Sequence, residues 1–134
     1  MDEQAKRILI VEDDDGLRDL LVLEMTGEPA FHLTSVGDGS QALELVHEVA
    51  FDLVVLDLQL PGASGLEILT TIQRDSPGTD VIVLTGLAPD DPRVVEALRR
   101  VEHLLEKPFP PEQVVGLVRS CLTGRDPVAG RQSL

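Results

Sequence analysis

The chain of 134 residues has the size of one domain, large enough to bury about two thirds of its unfolded surface. Its formal net charge of −13, from 24 acidic and 11 basic residues, argues against direct binding to nucleic acid or to an anionic membrane surface. A single cysteine, Cys121, excludes an internal disulfide bond, and no run of about 18 apolar residues is present to span a membrane.

Short apolar segments alternate with segments of helical periodicity along the chain. The apolar segments predict five strands, at Arg7–Val11, Phe31–Val36, Asp52–Asp57, Asp80–Thr85 and His103–Glu106. Apolar residues at helical spacing follow them, at Leu17, Leu20 and Leu21, at Ala42, Val46 and Val49, at Gly65, Leu69 and Ile72, and at Val114, Leu117, Val118 and Cys121. Asp91-Pro92 predicts the start of the fourth helix, Pro110-Pro111 the start of the fifth, and Gly124 its end.

This alternation predicts the α/β class, as a single doubly wound (βα)5 domain. Right-handed crossovers place the five strands in a parallel sheet that helices cover on both faces. We expect one domain over residues 1–123, followed at 124–134 by a flexible C-terminal tail or the start of a linker. The acidic amino terminus lacks the basic and apolar regions of a signal peptide, so we expect a soluble, cytoplasmic protein.

Polar residues occur where four of the predicted strands end. Glu12 and Asp13 follow the first strand, Asp57 ends the third, Thr85 ends the fourth and Lys107 follows the fifth. Because parallel strands end at one edge of the sheet, where open α/β sheets bind ligands, we expect these side chains to lie close together. Each residue alone also has an ordinary structural interpretation, as a satisfied strand residue or a surface charge.

Acidic side chains gathered at one edge repel each other. Either the pKa values of Glu12, Asp13 and Asp57 rise, or a cation shares the site, while Asp14 or Asp15 stabilises the first helix N-terminus. All the expected ligands are hard oxygens without histidine or cysteine, which favours Mg²⁺ over zinc. Mg²⁺ beside a carboxylate and a lysine suits phosphoryl transfer, in which the carboxylate can act as the nucleophile.

Four segments carry a resemblance to a known family, namely ILIVEDDDGLRDLL, LVVLDLQLPGASGLE, VIVLTG and LLEKPF. In this order and at these separations the chain resembles the receiver domain of two-component response regulators, from about Arg7 to Thr123. The resemblance implies a flavodoxin-like strand order, 2-1-3-4-5. It also implies a signalling switch, a phosphoacceptor regulatory domain that catalyses its own phosphorylation and dephosphorylation and is not an enzyme in the ordinary sense.

The resemblance also assigns roles to residues of this chain. It implies that Asp57 accepts a phosphoryl group from a sensor histidine kinase or phosphotransfer protein. Glu12, Asp13, Asp57 and the backbone carbonyl of Gln59 would hold Mg²⁺. Thr85 would bind the phosphoryl oxygen, Gly86 would leave room for the phosphoryl group, and Lys107 would pair with the negative charge of that group. The Lys107-Pro108 peptide would be cis. The phosphorylated domain would then change the face that binds an output domain or protein target, with homodimer formation left open.

The chain departs from the family pattern at a few positions. Leu104 stands three residues before Lys107, where the family usually has an aromatic side chain that couples to the threonine. Arg99 and Arg100 occupy the end of the fourth helix, where a small residue and glycine are common. Leu87, together with Gln59, is a candidate for tuning phosphoryl lifetime, and a solvent-facing Leu87 without that role is the alternative.

Other functions fit less well. A phosphoaspartate hydrolase normally needs an acid where Gln59 stands, a flavodoxin-like FMN site conflicts with the EDDD loop, and the P-loop motif is absent from the sequence. The alternative that stays open is a receiver-like module that binds proteins without phosphorylation.

Overall fold

The computed structural model describes residues 5–28 and 30–123, in which five strands alternate with five helices. The strands are β1 (Lys6–Val11), β2 (Phe31–Val36), β3 (Leu53–Asp57), β4 (Asp80–Thr85) and β5 (His103–Glu106). The helices are α1 (Asp15–Thr26), α2 (Gly39–Glu48), α3 (Gly65–Asp75), α4 (Pro92–Arg100) and α5 (Pro111–Thr123). The tail or linker predicted at 124–134, with the helix stop at Gly124, lies outside the described residues.

The strands form one parallel sheet in the order β2-β1-β3-β4-β5. This confirms the doubly wound α/β fold and the flavodoxin-like strand order. The register pairs Val11 with Leu56, and Asp57 with Leu84, so the strands end at nearly the same level. The chain places β2 on one side of β1 and the later strands, from β3 onward, on the other side. This change in strand order opens a crevice at the carboxyl ends of β1 and β3.

Two apolar layers hold the helices against the sheet. Alternate residues of β3 point to opposite faces, with Val54 and Leu56 in one layer and Leu53 and Val55 in the other. The first layer includes apolar residues of α2, α3 and α4, and the second includes those of α1 and α5. Every residue of β3 is buried, which explains its continuous apolar sequence and makes it a rigid support for Asp57.

Side chains cap four of the helices. Asp14 accepts a hydrogen bond from Leu17 N at 3.0 Å, which confirms that an acid of the EDDD segment stabilises the start of α1. Asp38, Ser64 and Asp91 cap α2, α3 and α4 in the same way, and Pro92 is the first residue of α4 as predicted. Each such cap stabilises its helix by about 1 kcal/mol.

The structure corrects two details of the helix prediction. Leu20, expected on the apolar face of α1, is 40% exposed, because that face is formed by Leu21 and Met25. Val49 lies beyond α2 as its extended C-cap residue, since the chain turns there toward β3. Cys121 is half-buried at the edge of the layer under α5. Among the described residues, no helix is long and apolar enough to cross a membrane.

Candidate functional site

The carboxyl edge of the sheet brings together the acidic and basic residues predicted there. Asp57 is the last residue of β3, Glu12 follows β1 and Lys107 follows β5. The Lys107 ammonium lies 2.7 Å from Asp57 Oδ2 and 2.9 Å from Glu12 Oε1. Residues 50 and 95 positions away from Lys107 in the sequence therefore meet around one cation.

Asp57 is held firmly in this cluster. Its side chain is 2% exposed. Oδ1 accepts a hydrogen bond from Gln59 N at 2.9 Å, and Oδ2 accepts one from Lys107 Nζ at 2.7 Å. A buried carboxylate is costly unless it is paired, and here each oxygen has one partner that also fixes its direction. The end of β3 therefore presents a carboxylate in a defined orientation.

Glu12 is fully buried and only partly satisfied. Oε2 accepts a hydrogen bond from Asp14 N at 3.0 Å. Oε1 forms the ion pair with Lys107, but the geometry of that contact is not that of a hydrogen bond, and within the described residues Oε1 accepts none. Burial raises the pKa of Glu12 to about 7; Lys107 and Asp14 N act against this rise, and Asp57 adds to it. Glu12 thus lies in the cluster with capacity for a further cationic partner.

One lysine does not neutralise the acidic residues around it. Burial alone would lower the pKa of Lys107, yet the contacts with Asp57 and Glu12 outweigh it and raise that pKa above its usual value. Lys107 therefore stays protonated and contributes one positive charge. Ligand oxygens of Glu12, Asp13 and Asp57 all lie within 4.8 Å of one another. Three carboxylates, with the unsatisfied Glu12 Oε1, are a donor set that fits a hard divalent cation such as Mg²⁺.

Thr85 ends β4 beside this cluster, and Gly86 follows it. The backbone N of Lys107 donates to Thr85 O at 2.7 Å, which ties the two strand ends together. Thr85 Oγ1 accepts a hydrogen bond from Leu87 N at 2.9 Å, and accepting this bond does not use the hydroxyl proton. A Cβ atom placed on Gly86 would meet the Lys107 side chain only at 3.9 Å, so the space above Gly86 is not filled by protein.

The exposed side of the cluster opens into a cleft of about 460 Å³. Asp13 and Gln59 line it, as does Arg93 from the first turn of α4. Arg93 forms two side-chain hydrogen bonds with Asp91, at 3.0 and 2.9 Å. The sequence reasoning did not single out Arg93, because nothing in its spacing indicates that the start of α4 faces the acidic loop.

Arg18 is a second residue that the sequence reasoning missed. Its guanidinium donates from Nη1 to the backbone carbonyl of Glu12 at 2.7 Å and from Nη2 to Asp15 Oδ1 at 2.6 Å. The separation of Asp15 and Arg18 by three residues on a helix indicates an ion pair. The bond to the Glu12 carbonyl has no such signal, because it depends on the path of the loop.

Two of the residues expected to tune the switch lie on one side of the sheet. Leu104 and Leu87 are both half-buried and pack against the core layer under α2, α3 and α4. Leu104 also lines a cleft of about 580 Å³ between α4, β5 and the start of α5, where Leu98 is 55% exposed. The Lys107-Pro108 peptide is cis, as the resemblance implied.

Comparisons with known proteins agree with this geometry. A family model described as the response regulator receiver domain matches residues 8–119. The DNA-binding response regulator MtrA of Mycolicibacterium smegmatis is 38% identical over 122 residues, which cover 91% of this chain and 53% of MtrA. The transcriptional activator protein PfeR of Pseudomonas aeruginosa is 38% identical over 105 residues, which cover 78% of this chain and 34% of PfeR.

Solved structures show the same similarity. The signal receiver domain of an HD domain-containing protein from Pseudomonas fluorescens Pf-5 has a TM-score of 0.79 at 27% identity, with 90% of this chain and 96% of that chain covered. The BeF3-activated DrrB receiver domain has a TM-score of 0.76 at 30% identity, with 89% and 98% covered. The chain spans about half the length of the curated MtrA relatives that it matches.

Proposed function

This chain belongs to the response regulator receiver family, and we propose that it is a signalling switch that accepts a phosphoryl group on Asp57. The donor is a sensor histidine kinase or a phosphotransfer protein that carries a phosphohistidine. The observation that carries this proposal is the setting of Asp57, a buried carboxylate at the end of β3 between Gln59 N and Lys107 Nζ. A carboxylate oriented in this way is suited to act as a nucleophile.

The proposed reaction is a phosphoryl transfer with balanced bond changes. An oxygen of Asp57 forms a bond to phosphorus while the phosphorus–nitrogen bond of the phosphohistidine breaks. The electron pair of that bond goes to the imidazole, which leaves neutral because its other ring nitrogen carries a proton. Water later attacks the aspartyl phosphate and releases inorganic phosphate, which restores the carboxylate. The domain modifies itself in both steps, so we propose a regulatory phosphoacceptor and not an enzyme that turns over a separate substrate.

Mg²⁺ is the cofactor that we propose for this site. Glu12, Asp13, Asp57 and the backbone carbonyl of Gln59 are the proposed ligands. When bound, the cation neutralises charge on the phosphoryl oxygens. The unsatisfied Glu12 Oε1 and the closeness of the three carboxylates support this assignment.

Lys107, Thr85 and Gly86 have separate roles in the proposed switch. Lys107 keeps its proton and pairs with the negative charge that phosphorylation adds at Asp57. The Thr85 hydroxyl donates its proton to a phosphoryl oxygen while it still accepts the bond from Leu87 N. The open space above Gly86 admits the phosphoryl group. These new contacts stabilise one conformation of the strand ends, and such differential contact is what shifts the population of a switch.

We propose that the switch acts through the surface of α4, β5 and α5. The cleft there is lined by apolar residues such as Leu98 and Leu104, which suits an output domain or protein target. MtrA is described as a DNA-binding response regulator and PfeR as a transcriptional activator protein. This chain spans 53% of MtrA and 34% of PfeR. With its net charge of −13, the domain itself is not proposed to bind nucleic acid. Homodimer formation and a cytoplasmic location stay predictions.

A second function is favoured by one observation. Leu104 is half-buried beside α4 and cannot supply the ring by which the family usually couples the threonine to the output surface. A module that binds its partner without phosphorylation is therefore the alternative.

Intact-protein mass after incubation with acetyl phosphate decides between the two functions. We expect a Mg²⁺-dependent gain of one phosphoryl group in the wild type and none in Asp57→Asn. Asp80→Asn is the matched control, because it removes an exposed aspartate at the opposite end of the sheet, and it should be phosphorylated like the wild type. A folded wild type that gains no phosphoryl group under any condition would favour the unphosphorylated module.

A further inference from the structure

We propose that Arg18 is a positioning residue for the acidic loop between β1 and α1, an inference that rests on the magnesium site proposed above. Arg18 Nη1 donates a hydrogen bond of 2.7 Å to the backbone carbonyl of Glu12. Nη2 donates one of 2.6 Å to Asp15 Oδ1, and the side chain is only 20% exposed. One guanidinium from the first turn of α1 thus joins both ends of the loop that carries the proposed metal ligands.

The atom that Arg18 holds matters for both acidic ligands. The Glu12 carbonyl belongs to the peptide unit that joins Glu12 to Asp13, so its direction sets the direction in which both side chains leave the backbone. On the other side of Glu12, its backbone N donates to Val36 O at 3.1 Å, which ends the pairing of β1 with β2. Asp14 N holds the Glu12 carboxylate at 3.0 Å, and Arg18 holds the Glu12 backbone carbonyl. Arg18 therefore acts on the metal ligands through the backbone, without being a ligand itself.

Gly37 provides an independent way to test this contact. A Cβ atom on Gly37 would lie 2.6 Å from Arg18 Nη1, 3.3 Å from Cζ and 3.5 Å from the Glu12 carbonyl oxygen. The Arg18 guanidinium therefore occupies the space over Gly37. Gly37→Ala would displace this flexible side-chain end, while the protein keeps the positive charge of Arg18. A substitution on the β2–α2 loop should thus reproduce the effect of removing Arg18.

The direction of the effect separates positioning from simple electrostatics. Arg18 is positively charged, so removing it near a cation site should strengthen Mg²⁺ binding if charge were its main effect. A positioning role predicts the opposite, weaker Mg²⁺ binding. Partners that orient metal ligands typically contribute about 10–100-fold in metal affinity. We expect a loss of about 10-fold in both Arg18→Ala and Gly37→Ala, with the double variant no weaker than either single variant.

The experiment measures the Mg²⁺ dissociation constant of the whole chain by isothermal titration calorimetry. Arg18→Lys should recover part of the affinity, because lysine can reach one of the two acceptors but lacks the two-pronged guanidinium. Arg74→Ala is the matched control, since Arg74 also pairs with a neighbouring aspartate, Asp75, but at the far end of α3. Circular dichroism of each variant checks that it is folded. As a second readout, the Mg²⁺ concentration for half-maximal phosphorylation should rise while the rate at saturating Mg²⁺ changes little.

The outcomes separate this inference from the proposed function. Weaker Mg²⁺ binding in Arg18→Ala and Gly37→Ala, with Arg74→Ala unchanged, supports the positioning role. A wild type that binds Mg²⁺ while both variants bind it within twofold of wild type, or while Arg18→Ala binds it more tightly, overturns the positioning role alone. A wild type that binds no Mg²⁺ overturns the proposed metal site and, with it, this inference.

Discussion

Replacing Lys107 with methionine tests whether one ammonium holds the acidic cluster together. The substitution keeps the apolar stem and removes the charge that lies within 2.9 Å of two carboxylates, whose side chains are 0% and 2% exposed. Removing one partner of a buried ion pair typically costs about 3–5 kcal/mol, because the remaining charge is uncompensated. We expect Lys107→Met to lose a free energy of unfolding in that range at about pH 8 with a chelator present.

The loss should depend on pH in a direction that the structure specifies. The pKa of Glu12 is already raised to about 7, so its contribution to stability is present below its unfolded value and lost as the pH rises through 7. Without Lys107 the pKa of Glu12 moves higher. The variant therefore goes on losing stability as the pH rises above 7, where the wild type has already lost the contribution of Glu12. The difference between the two proteins should therefore be smallest near about pH 6 and grow by up to about 1.4 kcal/mol per pH unit above neutrality.

Urea unfolding followed by far-ultraviolet circular dichroism measures this difference, because the chain contains neither tryptophan nor tyrosine. Lys6→Met is the matched control, since Lys6 is an exposed lysine at the opposite end of β1, and it should unfold like the wild type at both pH values. Mg²⁺ should restore part of the stability of Lys107→Met by supplying the missing positive charge. A Lys107→Met variant within about 1 kcal/mol of wild type, or a difference that does not grow with pH, would show that Lys107 does not compensate these carboxylates.

Four further substitutions test features of the fold by the same unfolding measurement. Gly39→Ala should destabilise by about 1–3 kcal/mol or more, because its Cβ would lie 1.8 Å from the backbone oxygen of Ala63. A Cβ atom on Gly116 would meet no atom within 4 Å, so Gly116→Ala should stabilise α5 by about 0.5–1 kcal/mol. Equal effects of Gly39→Ala and Gly116→Ala on stability would contradict these expectations. Asp38→Ala should cost about 1 kcal/mol through loss of the α2 cap, and a loss below a few tenths would rule that cap out as a stabilising contact. Partial desolvation of the otherwise exposed Asp80 side chain and the nearby charge of Glu102 raise the pKa of Asp80, so Asp80→Asn should stabilise slightly at neutral pH, by less than about 1 kcal/mol after solvent screening. That gain should vanish below the ordinary Asp pKa of 3.8, where the native carboxyl is protonated, and a gain that persists there would have another cause.

Local sequence patterns were sufficient for the elements and their order. The apolar run of β3 and the Asp91-Pro92 start of α4 are signals that a few adjacent residues carry, and the structure has both. The parallel sheet followed from the alternation of strands and helices, because parallel strands need crossover connections. Since such strands end at one edge, the nearness of Glu12, Asp57 and Lys107 could also be predicted, and it is confirmed by their contacts.

Helix faces were predicted less well than helix positions. The spacing of Leu20 fits an apolar face of α1, but the rotation of that helix against β1 leaves Leu20 40% exposed. Val49 continues the periodicity of α2, yet the chain leaves the helix there to enter β3. Helical periodicity says which residues share a face, whereas packing against the sheet decides which part of that face is covered.

The chemical detail of the site was decided by the tertiary structure alone. The sequence placed Asp57 and Lys107 at one edge of the sheet. The unsatisfied Glu12 oxygen and the Arg18 bond to a backbone carbonyl depend on distances of a few ångströms. Those distances arise from strand register and loop path, to which residues far apart in the chain contribute. A local pattern determines which groups reach the edge of the sheet, and the packing of the whole domain determines which of their atoms are left to bind a ligand.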